Sequence, residues 1–194
     1  MVIRMLDSGH SPGRPAVFFD RDGVLNRAVI RDGRPYPPAS VARLEIVPDA
    51  EAALGRLRRA GYVLVCVTNQ PDVARGRQRI EEVEAINAAI RSRLPLDDLR
   101  VCYHDNLDQC DCRKPAPGML VASARDHDLD LSASVMVGDR WSDIEAGRRA
   151  GCRTILVGVG YGEENRWAVE PDARVTSLAE TAAWILTHRD SQES

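Results

Sequence analysis

Two carboxylates stand at i and i+2 directly after four apolar residues, in Ala16-Val17-Phe18-Phe19-Asp20-Arg21-Asp22, and Gly23 follows at once. Acids this close repel unless a cation, a shared proton or a strong donor holds them. On this segment alone two readings stand. One acid could simply cap the next turn. The chemical reading is a Mg²⁺ site with an aspartyl nucleophile, since hard divalent ions take oxygen ligands and carboxylates accept phosphoryl groups. A second stretch, Val135-Met136-Val137-Gly138-Asp139, repeats the order of apolar run, glycine and carboxylate, with Asp143 four residues on. Asp143 would sit in the first turn of a helix, where an acid also complements the dipole.

Three thiols and an imidazole fall within eleven residues: Cys102, His104, Cys110 and Cys112. A disulfide between Cys110 and Cys112 would close a tight, strained ring, and a redox pair is more often Cys-x-x-Cys. A closed Cys3His zinc site fits best; four protein ligands leave no open position, so the zinc is structural. This loop, residues 102–114, ends in Arg113 and Lys114. Lys114 is the only lysine among 26 lysine and arginine residues. In so arginine-biased a chain, a lone lysine points to a site that needs a compact ammonium where a planar fork does not fit. Cys66 and Cys152 read as buried small hydrophobes, and His10, His127 and His188 as surface residues.

The elements that must carry these groups follow from the apolar pattern. The run at 16–19 reads as a strand buried on both faces, with Asp20 at its carboxyl end, where open α/β sheets bind ligands. Strands are also predicted at 62–67, 99–103, 135–137 and 154–157, and helices from Pro48 to Gly61, from Ile80 to Pro95, and over 117–127, 142–150 and 177–188. Strand and helix alternate, so the fold class is α/β: a Rossmann-like parallel sheet with helices on both faces. Residues 27–46 look irregular. Their Arg27, Arg31 and Arg34 belong to an ordinary solvated loop or to one whose guanidinium groups meet an anion. If the strands before Asp20 and Asp139 are neighbours, the acids converge with Lys114 and call for Mg²⁺.

Composition sets the outer bounds. At 194 residues, 44% of them hydrophobic, the chain is expected to form one domain over 15–189, between tails at 1–14 and 190–194. A net charge of -3 gives no footprint for nucleic acid. With no 18-residue apolar run and no signal peptide, the reading is a cytoplasmic monomer that makes no membrane contact.

Asp20-x-Asp22-Gly-Val, Thr68-Asn69, Lys114-Pro and Gly138-Asp139-x-x-x-Asp143 resemble, in order and spacing, the four motifs of the haloacid dehalogenase superfamily of phosphatases, over roughly residues 15–160. The zinc element resembles a largely capless branch that acts on sugar bisphosphates of the heptose 1,7-bisphosphate type or on histidinol phosphate. Asn69-Gln-x-x-x-Ala74-Arg75-Gly76 is similar to the former, the five-residue gap from His104 to Cys110 to the latter. The resemblance implies Asp20 as nucleophile and Asp22 as general acid and base. It implies Mg²⁺ on Asp20, Asp22 (through its carbonyl) and Asp139, with Asp143 acting through water. Thr68 and Lys114 would stabilise charge, and Asn69 and Arg113 would contact a small phosphorylated metabolite. Arg27, Arg31 and Arg34 suit a second anionic group, which favours a sugar bisphosphate over the cationic histidinol phosphate. A non-catalytic phosphate-binding protein on the same fold is the alternative of another class.

Overall fold

Alternate residues of the first strand, β1 (Arg14–Phe19), enter two different cores. Val17 and Phe19 pack into one, Ala16 and Phe18 into the other, and all four are fully buried. Strand side chains alternate between faces, so a strand apolar on both is covered on both. Full burial of each phenylalanine contributes about 1.5–3 kcal/mol.

The computed structural model describes residues 13–31, 34–158 and 170–189. After β1 come β2 (Val29–Arg31), β3 (Arg34–Tyr36), α1 (Ala50–Arg59), β4 (Val63–Asn69), α2 (Ile80–Arg93), β5 (Asp98–Cys102) and α3 (Gly118–His127). Then follow β6 (Leu129–Gly138), α4 (Trp141–Ala150), β7 (Arg153–Val157), β8 (Ala173–Val175) and α5 (Leu178–Thr187). Six strands form one sheet in the order β5-β4-β1-β6-β7-β8, every pair parallel. Side chains of α1, α2 and α5 fill the core on one face, and those of α3 fill the other. Helix α4 approaches the sheet at Gly147, where an added Cβ would stand 2.6 Å from the Met136 Cβ.

The chain leaves β1 for β4 on one side and reaches β6 on the other, so the strand order reverses at β1. In open α/β sheets the carboxyl ends at such a reversal are where ligands bind. The fold is the expected α/β sheet, and its two acidic strands are indeed neighbours.

Several local expectations change. β1 starts at Arg14, inside the stretch expected as a tail, because the Arg14 N–H pairs with the Asp128 carbonyl at 2.9 Å. Residues 27–46 are not irregular throughout: β2 and β3 form an antiparallel hairpin with Val29 opposite Tyr36, and Val41–Arg43 make a 3₁₀ turn. Pro35 is tolerated because a two-stranded ribbon is all edge. Strand β8, three residues long, is too short to show a period. Among the described residues no helix is long and apolar enough to cross a membrane. Residues 1–12 and 190–194, with His10, lie outside the described residues.

Candidate active site

Asp20 follows β1 directly, and its N–H pairs with the Val137 carbonyl at 2.9 Å. The side chain is therefore held where β1 meets β6. Lys114 reaches it from the loop before α3. The Lys114 Nζ donates to Asp20 Oδ1, Asp143 Oδ1 and the Val67 carbonyl, each at 2.7 Å. An ammonium has three protons, and here three acceptors. That is the physical content of the lone lysine: a planar guanidinium cannot converge on three such points.

The charges are unequal. Burial alone would lower the Lys114 pKa, but Asp143 and Asp20 outweigh it and hold it above the usual lysine value. Asp20 is pushed up to about 6, chiefly by burial; Lys114 opposes the rise and Asp143 and Asp22 add to it. Asp139 is raised well above the ordinary carboxylate value, by burial and then by Asp20 and Asp143. One lysine cannot offset so much negative charge.

Asp139 is the telling member. Both of its oxygens are buried and accept no hydrogen bond from the described residues, with Arg140 Nε 3.9 Å away. Asp143, by contrast, is occupied: Oδ1 by Lys114, Oδ2 by the Arg140 N–H at 3.1 Å. One oxygen from each of Asp20, Asp139 and Asp143 lies within 4.8 Å of the others. This oxygen set fits a hard divalent cation. Two glycines make the approach possible. A Cβ on Gly23, whose φ is +94°, would stand 2.0 Å from Asp139 Oδ2, and one on Gly138 would stand 2.1 Å from the Asp143 Cβ.

Asp22 is gripped separately. Arg21 Nη2 donates to Asp22 Oδ2 at 2.8 Å, Gln70 Nε2 to the same oxygen at 2.7 Å, and Asn26 Nδ2 to Oδ1 at 3.0 Å. Burial raises its pKa, but Arg21 and these donors prevail and hold it below the ordinary value. Gln70 Nε2 also donates to Thr68 Oγ1 at 2.8 Å, which joins Thr68 to Asp22.

Asn69 is engaged with the chain itself: its Oδ1 accepts from the Lys114 N–H and its Nδ2 donates to the Lys114 carbonyl. Arg113 turns toward the cysteine loop, with Nε on Asn106 Oδ1 at 2.9 Å and Nη1 on the His104 carbonyl at 3.3 Å. Arg27 is exposed, 3.9 Å from Glu45, and is not drawn into the acidic cluster. The side chains of Arg31 and Arg34 lie outside the described residues.

Cys102, His104, Cys110 and Cys112 do come together. Their Sγ and Nδ1 atoms lie 3.0–3.7 Å apart in five of the pairings. Ligands about 2.0–2.3 Å from a shared zinc in a tetrahedron stand roughly 3.3–3.8 Å from one another. The cluster could therefore bind zinc. Cys66 and Cys152 are buried as expected, whereas His127 is half-buried with Nε2 3.0 Å from Asp98 Oδ2, so it is no plain surface residue.

Nothing in their spacing marks Asn26, Gln70 or Asn87 as members of the site. Arg21 does carry a local signal, a charge placed between two acids beside a buried strand.

Residues 111–181 match a family model described as HAD-hydrolase-like. Fold and site agree on that class, a haloacid dehalogenase-like phosphatase, with its carboxylates at the switch point of an open parallel sheet. The chain is 38% identical over 196 aligned positions to D-glycero-D-manno-heptose-1,7-bisphosphate 7-phosphatase of Thermosynechococcus vestitus, covering 90% of this chain and 97% of that one. It is 36% identical over 153 positions to the corresponding enzyme of Rhodopseudomonas palustris, covering 73% and 82%. Among solved structures, D,D-heptose 1,7-bisphosphate phosphatase from B. bronchiseptica, complexed with magnesium and phosphate, superposes with a TM-score of 0.75 at 32% identity, covering 90% of this chain and 99% of that one. The chain belongs to this family of heptose-1,7-bisphosphate 7-phosphatases.

Proposed function

We propose that this chain removes the 7-phosphate of D-glycero-D-manno-heptose 1,7-bisphosphate through an aspartyl-phosphate on Asp20. The observation that carries the chemistry is the convergence of Asp20, Asp139 and Asp143 on the buried Lys114 ammonium. Asp20 attacks phosphorus in line, and the sugar alkoxide leaves. Asp22, ionised at rest beside Arg21, takes up a proton from the entering phosphate monoester, gives it to that alkoxide, and then takes one from the water that hydrolyses the aspartyl-phosphate. Thr68 and Lys114 stabilise charge on the phosphoryl oxygens. Asp20, the Asp22 carbonyl and Asp139 would hold Mg²⁺, with Asp143 acting through water, and the ion would supply positive charge against the phosphoryl oxygens. Cys102, His104, Cys110 and Cys112 would hold a zinc ion that fixes the loop carrying Lys114.

The choice of substrate rests on the likeness to the heptose enzymes; Arg113, bound to Asn106 and the His104 carbonyl, does not add to it. A non-catalytic phosphate-binding role is disfavoured because every acid and the lysine are in place. The test is kcat/KM for heptose 1,7-bisphosphate beside histidinol phosphate, with metal analysis of the purified protein. We expect the bisphosphate to be preferred, about one zinc per chain, and dependence on added Mg²⁺. A tenfold preference for histidinol phosphate would overturn the substrate. Near-normal turnover by a folded Asp20→Asn protein would overturn the mechanism.

A further inference from the structure

Among the described residues Arg21 is the largest fully buried side chain. A guanidinium held out of water persists only when its donors are paired. The pairing here is specific. Arg21 Nη2 donates to Asp22 Oδ2 at 2.8 Å, and Nε lies 3.2 Å from both Asp22 oxygens. Its Nη1 donates to Asn87 Oδ1 at 2.8 Å, and Asn87 is itself buried on α2. Gln70 Nε2, just after β4, meets the same Asp22 Oδ2 at 2.7 Å and Thr68 Oγ1 at 2.8 Å.

The carboxylate of Asp22 is thus gripped by three residues: by Arg21, by Gln70 after β4, and by Asn26 of its own loop. Left alone, a carboxylate turns freely about its last torsion, which has no sharp minima. A planar fork that spans both oxygens, with an amide added on each, removes that freedom. A mere cap needs one donor, and a buried lysine would neutralise the charge without fixing the plane.

We propose that Arg21 and Gln70 are positioning residues for the proton transfers at Asp22, with Asn87 as the fixed point that α2 supplies to Arg21. The inference rests on the reading of Asp22 as the acid and base of the reaction. Arg21 and Gln70 touch neither the transferred phosphoryl group nor the metal in this account. They set the direction in which Asp22 presents its oxygen to the leaving group.

Leaving-group dependence separates this from a structural role. The alkoxide of a sugar needs a proton as it departs, whereas the phenolate of p-nitrophenyl phosphate does not. The measurement is kcat/KM, which reports steps through formation of the aspartyl-phosphate, for heptose 1,7-bisphosphate and for p-nitrophenyl phosphate. The proteins are wild type, Asp22→Asn, Arg21→Lys, Gln70→Met and Asn87→Leu, each checked for fold by circular dichroism. We expect Arg21→Lys and Gln70→Met to lose at least tenfold more on the sugar ester than on the aryl ester, and Asn87→Leu to follow with a smaller gap. Where Arg21→Lys does not fold, Gln70→Met and Asn87→Leu carry the test. Equal losses on both esters, beside a sugar-selective loss in Asp22→Asn, would overturn the positioning role and leave the role of Asp22 standing. No sugar-selective loss in Asp22→Asn would overturn the reading of Asp22 itself, and the inference with it.

Discussion

Asn69 clamps the backbone of Lys114 with both ends of its amide: Oδ1 accepts from the Lys114 N–H at 3.1 Å, and Nδ2 donates to the Lys114 carbonyl at 3.0 Å. The end of β4 is thereby tied to the loop that carries the ammonium. A second tie runs alongside, from the Gln70 N–H to the Cys102 carbonyl at 2.7 Å. Asn69 therefore acts on the reacting groups through Lys114.

Asn69→Leu should lower kcat with little change in KM. A shift of about 1 Å in a catalytic group costs on the order of 10²-fold, which bounds the expected loss. Steady-state kinetics on the sugar bisphosphate check this. A rise in KM alone would mean that the amide meets substrate instead.

Lys114→Arg should be as damaging as Lys114→Met. Three acceptors at 2.7 Å converge on one nitrogen, and a guanidinium spreads its donors over a plane. Loss of such a charge-stabilising donor lowers kcat by about 10²–10³. Removing the cation also strands Asp20 and Asp143 in the interior, which costs about 3–5 kcal/mol where a buried pair is broken. Urea unfolding in Mg²⁺-free buffer measures that second effect.

Gly23→Ala should weaken Mg²⁺ binding before it weakens the fold. The new methyl would meet Asp139 Oδ2, and the φ of +94° disfavours any side chain at that position. The expected result is a higher Mg²⁺ concentration for half-maximal activity, read from a metal titration. An unchanged titration would show that Asp139 need not occupy its present position.

The acidic cluster also predicts how stability depends on pH. Asp20 and Asp139 have folded pKa values raised above the ordinary 3.8, Asp20 to about 6. A carboxyl whose folded pKa lies above its unfolded value favours the fold below the unfolded pKa and loses that contribution as pH rises through the folded one. Mg²⁺-free protein should therefore have a higher Tm at pH 5 than at pH 7, and Mg²⁺ should restore the loss at pH 7. Asp139→Asn should raise the Tm in Mg²⁺-free buffer at pH 7, by roughly 2–4 °C for each kcal/mol gained, and blunt the response to Mg²⁺. Thermal unfolding at the two pH values, with and without Mg²⁺, decides it.

The chemistry was legible wherever it is written locally. An apolar run that stops at a carboxylate marks both a buried strand and its end, so Asp20 and Asp139 could be read from neighbouring residues alone. The same holds for Cys102, His104, Cys110 and Cys112, whose ligand spacing lies within eleven residues, and for Lys114, conspicuous among arginines. What the tertiary structure alone decided is which side chains meet. Lys114 and Asp20 are 94 residues apart, and Gln70 and Asp22 are 48 apart. No periodicity reports such pairs, because they exist only once β4 and β6 have flanked β1. That is why Asn69, expected on the substrate, is spent on Lys114, and why Arg21 is buried inside the site. A strand's end can be read from its own residues, but the partner of a buried polar group depends on which distant segment supplies it.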